Sequence, residues 1–163
     1  MAEGKVIFIG AGPGDPKLLT IKGKEALESA DVVIWAGSLV NKDILAYARK
    51  DALIIDSAEL ALPAIAAEMI AAARAGKTVV RAHTGEPSLY SAIAEQIEIL
   101  DKENIPIEII PGVSSAFAAA ASLHIEYTLP DVSQTLIFTR RSGRTPVPEP
   151  ESLRALASHR ASM

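Results

Sequence analysis

The sequence predicts an α/β fold: a mainly parallel sheet with helices on both faces, followed by the start of a second α/β domain. Three observations carry this expectation. Short apolar runs of strand length alternate five times with stretches of helical pattern, the order that builds βαβ units. The runs are continuous, as in KVIFI at 5–9 and VVIW at 32–35, which suits strands covered on both faces. Beyond about Leu123 the regular alternation stops, and the chain there resembles a linker leading into a new unit.

Taken in order, the first strand spans 5–9 and ends in GAGPGDPKLLT, Gly10 to Thr20, where three glycines and two prolines fall within seven residues. Such a segment cannot continue a strand or begin a regular helix. Thr20 caps a helix over 21–29 with Ile21, Ala26 and Leu27 turned inward. The second strand, 32–35, leads through AGSLV to Asn41, read as the cap of a helix carrying Ile44, Leu45, Tyr47 and Ala48 on one side. A third strand covers 53–55. Pro63 suits the first turn of the next helix, where its missing N–H does no harm, and Gly76 suits its left-handed end. The strand at 78–82 opens through HTGEPS into a helix over 89–102, with Ser88 as its N-cap. A strand at 107–110, the turn PGVSS and an alanine-rich helix at 115–122 complete the regular part.

The expected division is therefore an N-terminal α/β domain over 1–122, a linker over 123–133 (LHIEYTLPDVS), and the beginning of an incomplete C-terminal α/β domain over 134–163. In that last part a strand is predicted at 134–139 and a helix from 151 to 159. One strand and one helix cannot enclose a core, so this tail is expected to need more chain or another subunit.

Composition narrows the function. Aromatic residues make up 4% and the net charge is −4, which argues against base stacking and against a broad phosphate-binding surface. Cysteine is absent, so disulfides and thiolate metal sites are excluded. The first segment shows no charged leader with a long apolar block. No apolar run approaches the roughly 20 residues needed to cross a bilayer. A soluble cytoplasmic protein with no nucleic-acid or membrane partner is expected.

Three loops leave the carboxyl ends of strands, at 10–16, 83–88 and 111–115, and each combines glycine with proline. In open α/β sheets that edge is where small ligands bind. GAGPGD is not a dinucleotide fingerprint, because Asp15 stands where the third glycine belongs and Pro13 removes an amide. A phosphate-binding P-loop lacks its Gly-Lys-Ser/Thr. His83, His124 and His159 have no metal-ligand spacing, so no metal site is expected, and there is no Gly-x-Ser-x-Gly elbow. His83 reads as a loop residue shaping the pocket, or as a general base. Arg81 reads as a strand-end salt-bridge residue, or as an anion ligand. Arg140, Arg141 and Arg144 form a solvated loop that a polycarboxylate would also find attractive, and Trp35 and Tyr90 read as packing. With no evident nucleophile, any chemistry rests on positioning two small molecules.

The segments GAGPGDPKLLT, DVVIWAGSLV, HTGEPSLYSAIAEQI, IIPGVSSAFAAAASL and LPDVSQTLIFTR, in this order and spacing, resemble the tetrapyrrole methylase family. Within it, the GSLV, SLY-AIAEQ and LP-VSQT-I-TR elements are most similar to the branch that methylates C11 of precorrin-4 or of its cobalt counterpart. The resemblance implies S-adenosyl-L-methionine as methyl donor, a tetrapyrrole substrate of cobalamin biosynthesis, two α/β domains with the cofactor between them, and a homodimer. It places cofactor contacts at Pro13, Thr84, Gly85, Glu86, Leu89, Ser114 and Ser115, many through backbone atoms. Glu86 stands where the family usually has aspartate, and it is the one acid or base that the resemblance offers to catalysis. Ala36 replaces the aspartate of the uroporphyrinogen III methylases, which disfavours that substrate. Methylation at another corrin position such as C17 or C20, or a truncated non-catalytic fragment, are the competing readings.

Overall fold

A computed structural model describes residues 4–143 and 145–163 of the chain, so Arg144 of the arginine loop lies outside the described residues. Five strands form one sheet: β1 (Lys5–Gly10), β2 (Val32–Trp35), β3 (Leu53–Asp56), β4 (Thr78–His83) and β5 (Ile107–Ile110). All the pairings are parallel, in the order β3-β2-β4-β1-β5. The interior position of β1, between β4 and β5, explains its unbroken apolar run, since Val6, Phe8 and Ile9 have no exposed surface.

Each face of the sheet has its own cover. Helix α1 (Ile21–Ser29) and the 3-10 stretch Lys42–Tyr47 pack Ala26, Leu27 and Ile44 against Ile7, Ile9, Val33 and Val80. On the opposite face, α2 (Leu62–Arg74) and α3 (Ile93–Lys102) bring Ile65, Met69 and Leu100 against Val6, Phe8, Ile34 and Val79. The connection leaving β1 crosses to β2 over the first face, while those leaving β3 and β4 return over the second. This is the doubly wound pattern that keeps every parallel crossover right-handed.

The fold class stands as expected, and several caps do as well. The Gly23 N–H donates to Thr20 Oγ1 at 3.1 Å, Pro63 lies in the first turn of α2, and Gly76 takes a φ of 77° just beyond its end. Other details differ. Ile21 points outward, 78% exposed. Asn41 does cap, its Oδ1 accepting from the Asp43 N–H at 3.0 Å, but the turn it starts is 3-10 rather than α. Helix α3 begins at Ile93, not at Leu89, and Ser88 is not its cap. Tyr90 (φ 56°) and Ala92 (φ 50°) are both left-handed, which breaks the helical pattern ahead of it.

Contacts divide the chain into two compact units, the first ending at Ala118 and the second beginning at Ala119, within α4 (Ser115–Leu123). In the second unit, residues 134–139 do not form the predicted strand. Leu136 makes a single parallel bridge with Ser162, and Ser162 exchanges backbone hydrogen bonds with Thr135 and Ile137. A strand needs a partner of similar length, and one bridge does not provide it. The expected helix over 151–159 is shorter too: a 3-10 turn Glu149–Glu151 precedes α5 (Leu153–Ala157), capped by Ser152. Arg140 binds its own loop, donating to the carbonyls of Arg141, Thr145 and Pro146.

Candidate functional site

Strands β1 and β4 are neighbours, yet the chain leaves them toward opposite faces of the sheet. Their carboxyl ends therefore lie at the topological switch point, the place where doubly wound sheets form a ligand crevice. The residues there are the ones with least side chain. Gly10 is paired with His83, the Ala11 N–H donates to the His83 carbonyl at 2.7 Å, and Gly12 and Gly85 form an antiparallel bridge (2.9 and 3.3 Å). Gly12 (φ 76°) and Gly85 (φ 57°) are left-handed, a conformation glycine adopts without strain.

The third loop closes on the same point. A Cβ built on Gly10 would lie 2.5 Å from the Gly112 Cα and 2.5 Å from the Gly85 carbonyl oxygen. The loops after β1, β4 and β5 thus touch backbone to backbone. A Cβ on Gly85 would lie 3.7 Å from the Ser115 N and 3.8 Å from the Ser114 Cα. Ser114 starts α4, its carbonyl accepting from Phe117 and Ala118.

Side chains stitch these loops together. The Gly112 N–H donates to Glu86 Oε2 at 2.8 Å and the Ser88 N–H to Oε1 at 2.9 Å. Burial raises the proton affinity of Glu86, but hydrogen bonds from Ser88 and Gly112 outweigh it and hold the carboxyl below its ordinary range. Asn41 Nδ2 donates to the Gly14 carbonyl at 2.8 Å, so the second connection braces the first. Asp56 Oδ1 accepts from the N–H groups of Gly37 (3.0 Å) and Ala58 (2.9 Å). Neither Asn41 nor Asp56 stood out in the sequence as a loop brace, because both partners are backbone groups at a distance along the chain.

Beneath the crevice, on the α2 and α3 face, lies a buried polar cluster. Arg81 is 6% exposed and donates to Ser57 Oγ (2.9 Å), Gln96 Oε1 (3.3 Å) and the Ile34 carbonyl (3.4 Å). No carboxylate pairs with it among the described residues, so it is not a salt-bridge residue. Burial pushes its pKa down to about 10. His83 ends β4 rather than belonging to the loop, and it stacks on Phe8 with ring centroids 5.8 Å apart. Burial, and then the charge of Arg81, push its pKa down to about 3, and its Nε2 is buried with no hydrogen-bond partner among the described residues.

The structure thus brings Pro13, Thr84, Gly85, Glu86, Ser114 and Ser115 to one edge, with Leu89 one turn on, its N–H donating to the Glu86 carbonyl at 3.1 Å. Among the described residues no group of three His, Cys, Asp or Glu is placed to hold a metal ion, and no helix is long and apolar enough to cross a membrane. Doubly wound parallel sheets bind small molecules at such a switch point, and the loops that meet there in this chain present glycine backbone. Residues 5–163 match the family of tetrapyrrole (corrin/porphyrin) methylases, and the chain belongs to that family.

It is 60% identical over 159 residues to the cobalt-precorrin-4 C(11)-methyltransferase of Methanocaldococcus jannaschii, covering 98% of this chain and 61% of that protein. The chain therefore spans about three fifths of that relative's length. The solved structure of a cobalamin biosynthetic enzyme, cobalt precorrin-4 methyltransferase, superposes with a TM-score of 0.93 at 50% identity, covering 96% of this chain and 66% of that one. The uroporphyrin-III C-methyl transferase of Thermus thermophilus, solved in complex with S-adenyl homocysteine, superposes with a TM-score of 0.68 at 31% identity, covering 82% of this chain and 54% of that one.

Proposed function

We propose that this chain carries the cofactor crevice of an S-adenosyl-L-methionine-dependent C-methyltransferase of cobalamin biosynthesis. The reaction is methylation at C11 of precorrin-4, or of cobalt-precorrin-4, to give precorrin-5. The observation that carries this reading is the 60% identity to a cobalt-precorrin-4 C(11)-methyltransferase across 98% of the chain. Residues 1–122 form the first α/β domain, 123–133 the linker, and 134–163 the beginning of a second domain. The assembly is a homodimer in the cytoplasm.

The loops support the cofactor reading. Those after β1, β4 and β5 meet backbone to backbone at Gly10, Gly85 and Gly112, while Thr84 and Ser115 are exposed and Pro13 is half-buried. Pro13, Thr84, Gly85, Leu89, Ser114 and Ser115 hold the ligand, and Glu86 contributes to the site by fixing these loops through the Ser88 and Gly112 amides. S-adenosylmethionine supplies a methyl group on a sulfonium, an electrophile toward the electron-rich carbon of a pyrrole-derived ring. The residues of this chain align the two reactants and exclude water, since orientation alone supplies a large part of the barrier lowering in such transfers. His83, buried and neutral, supports the floor of the crevice from β4.

Methyl transfer from 13C-methyl-labelled S-adenosylmethionine to precorrin-4 and to cobalt-precorrin-4, with the new methyl located by NMR, tests this reading. Label at C11 is expected. Label at another ring position overturns the assignment, and the substrate that reacts decides between the metal-free and cobalt forms.

A further inference from the structure

The geometry points to Glu86 as a positioning residue whose carboxylate ties the loop after β4 to the loop after β5, setting the spacing of the cofactor crevice. This rests on the reading of that crevice as the S-adenosylmethionine site. Glu86 has the two features of a brace. One oxygen accepts from Ser88 N–H in its own loop, at 2.9 Å, and the other from Gly112 N–H, 26 residues away, at 2.8 Å. A carboxylate accepting two backbone N–H bonds is fixed in orientation, and charge-assisted bonds of this kind are short and strong.

The position of Gly112 extends the consequence beyond one bond. Its backbone lies against Gly10 and Gly85 with no room for a side chain, so a shift of Gly112 moves the loops after β1 and β4 directly. Ser114 and Ser115 follow two and three residues later. One carboxylate therefore sets the relative placement of Pro13, Gly85 and Ser114. Acid–base chemistry needs an oxygen turned to the substrate, whereas both oxygens of Glu86 are turned to backbone. The side chain acts through the loops that it joins.

The length of the side chain is decisive. Aspartate retains the charge and the local bond to the Ser88 N–H but falls one methylene short of Gly112. Glutamine retains the length but places an NH2 against one of the two N–H donors. The test compares the parent chain with Glu86→Asp and Glu86→Gln by amide hydrogen exchange and by calorimetric titration with S-adenosylhomocysteine. In Glu86→Asp the Gly112 amide is expected to exchange at least about tenfold faster while the Ser88 amide keeps its protection. The dissociation constant is expected to rise about tenfold or more in both variants, the effect of losing a hydrogen bond to a charged group.

Weaker binding with unchanged exchange at Gly112 would overturn the proposal, since Glu86 would then touch the ligand itself. Faster exchange at Gly112 with unchanged affinity would also overturn it, because the brace would exist without positioning anything. If the parent chain does not bind S-adenosylhomocysteine, the cofactor reading fails and the positioning role falls with it. The exchange data would still show separately whether the carboxylate joins the loops.

Discussion

Replacing Gly112 by alanine puts a methyl group where three backbones meet. The new Cβ would lie 2.6 Å from the Gly10 Cα, and closer still to the Gly85 carbonyl oxygen, whereas ordinary contact begins at 3.4 Å. Gly10 must therefore withdraw by about 0.8 Å, and no rotamer can relieve the clash because every partner is backbone. Gly10 is the last residue of the interior strand β1, paired with β4 throughout its length, so withdrawal strains the sheet. Overpacking of this kind costs about 1–3 kcal/mol. At roughly 2–4 °C per kcal/mol for a chain of this size, the melting temperature falls by about 2–12 °C. Scanning calorimetry on Gly112→Ala measures this directly. Gly143→Ala is the control, since its Cβ meets nothing within 4 Å. S-adenosylhomocysteine affinity should fall together with stability. If Gly112→Ala melts within a degree of the parent and binds as well, the three loops do not touch as described, and the crevice has been misread.

The buried cluster under the crevice yields two more predictions. His83 has a folded pKa of about 3 against an ordinary 6.5, from burial first and Arg81 second. As pH falls below 6.5 the unfolded chain takes up a proton that the folded one refuses. The stability contributed by neutral His83 is therefore complete above pH 6.5 and is lost as pH falls toward 3. The loss approaches about 1.4 kcal/mol per pH unit relative to His83→Gln; urea unfolding across pH 7 to 4 measures it, and parallel profiles would refute the burial of His83. Arg81→Met leaves Ser57, Gln96 and the Ile34 carbonyl without their donor and should destabilise the chain by about 1–3 kcal/mol in the same assay. A more stable variant would mean that desolvating the guanidinium costs more than its three bonds return.

The sheet was legible in the sequence because strands covered on both faces are written as continuous apolar runs, and all five predicted strands of the first unit form. The positions of Thr20, Pro63 and Gly76 were legible for a related reason: each acts on its own local backbone. What the chain hides is nonlocal. Residues 89–92, LYSA, carry an ordinary helical pattern, and nothing in them announces that Tyr90 and Ala92 adopt positive φ. The run at 134–139 has the composition of a strand, but a ladder depends on the partner, and among the described residues only Ser162 offers one.

The crevice divides the same way. Its three loops could be found from glycine and proline content and from their place after strands. Their contact could not, since Gly10, Gly85 and Gly112 have no chemistry that reveals a neighbour 27 or more residues away. Arg81 was legible as a charge within an apolar strand, yet its partners come from the end of β2, the turn after β3, and α3. Glu86 drew attention by its acidity, whereas the structure gives it two backbone donors.

The most direct test of the central claim is an NMR titration of the 15N-labelled chain with S-adenosylhomocysteine. The account predicts saturable shifts concentrated at the amides of Gly12, Gly14, Thr84, Gly85, Gly112, Ser114 and Ser115, around the switch point between β1 and β4. Shifts centred elsewhere, such as the exposed β3 edge at Leu53 and Ile54, would contradict it, as would a saturating titration that left the three glycine loops unmoved.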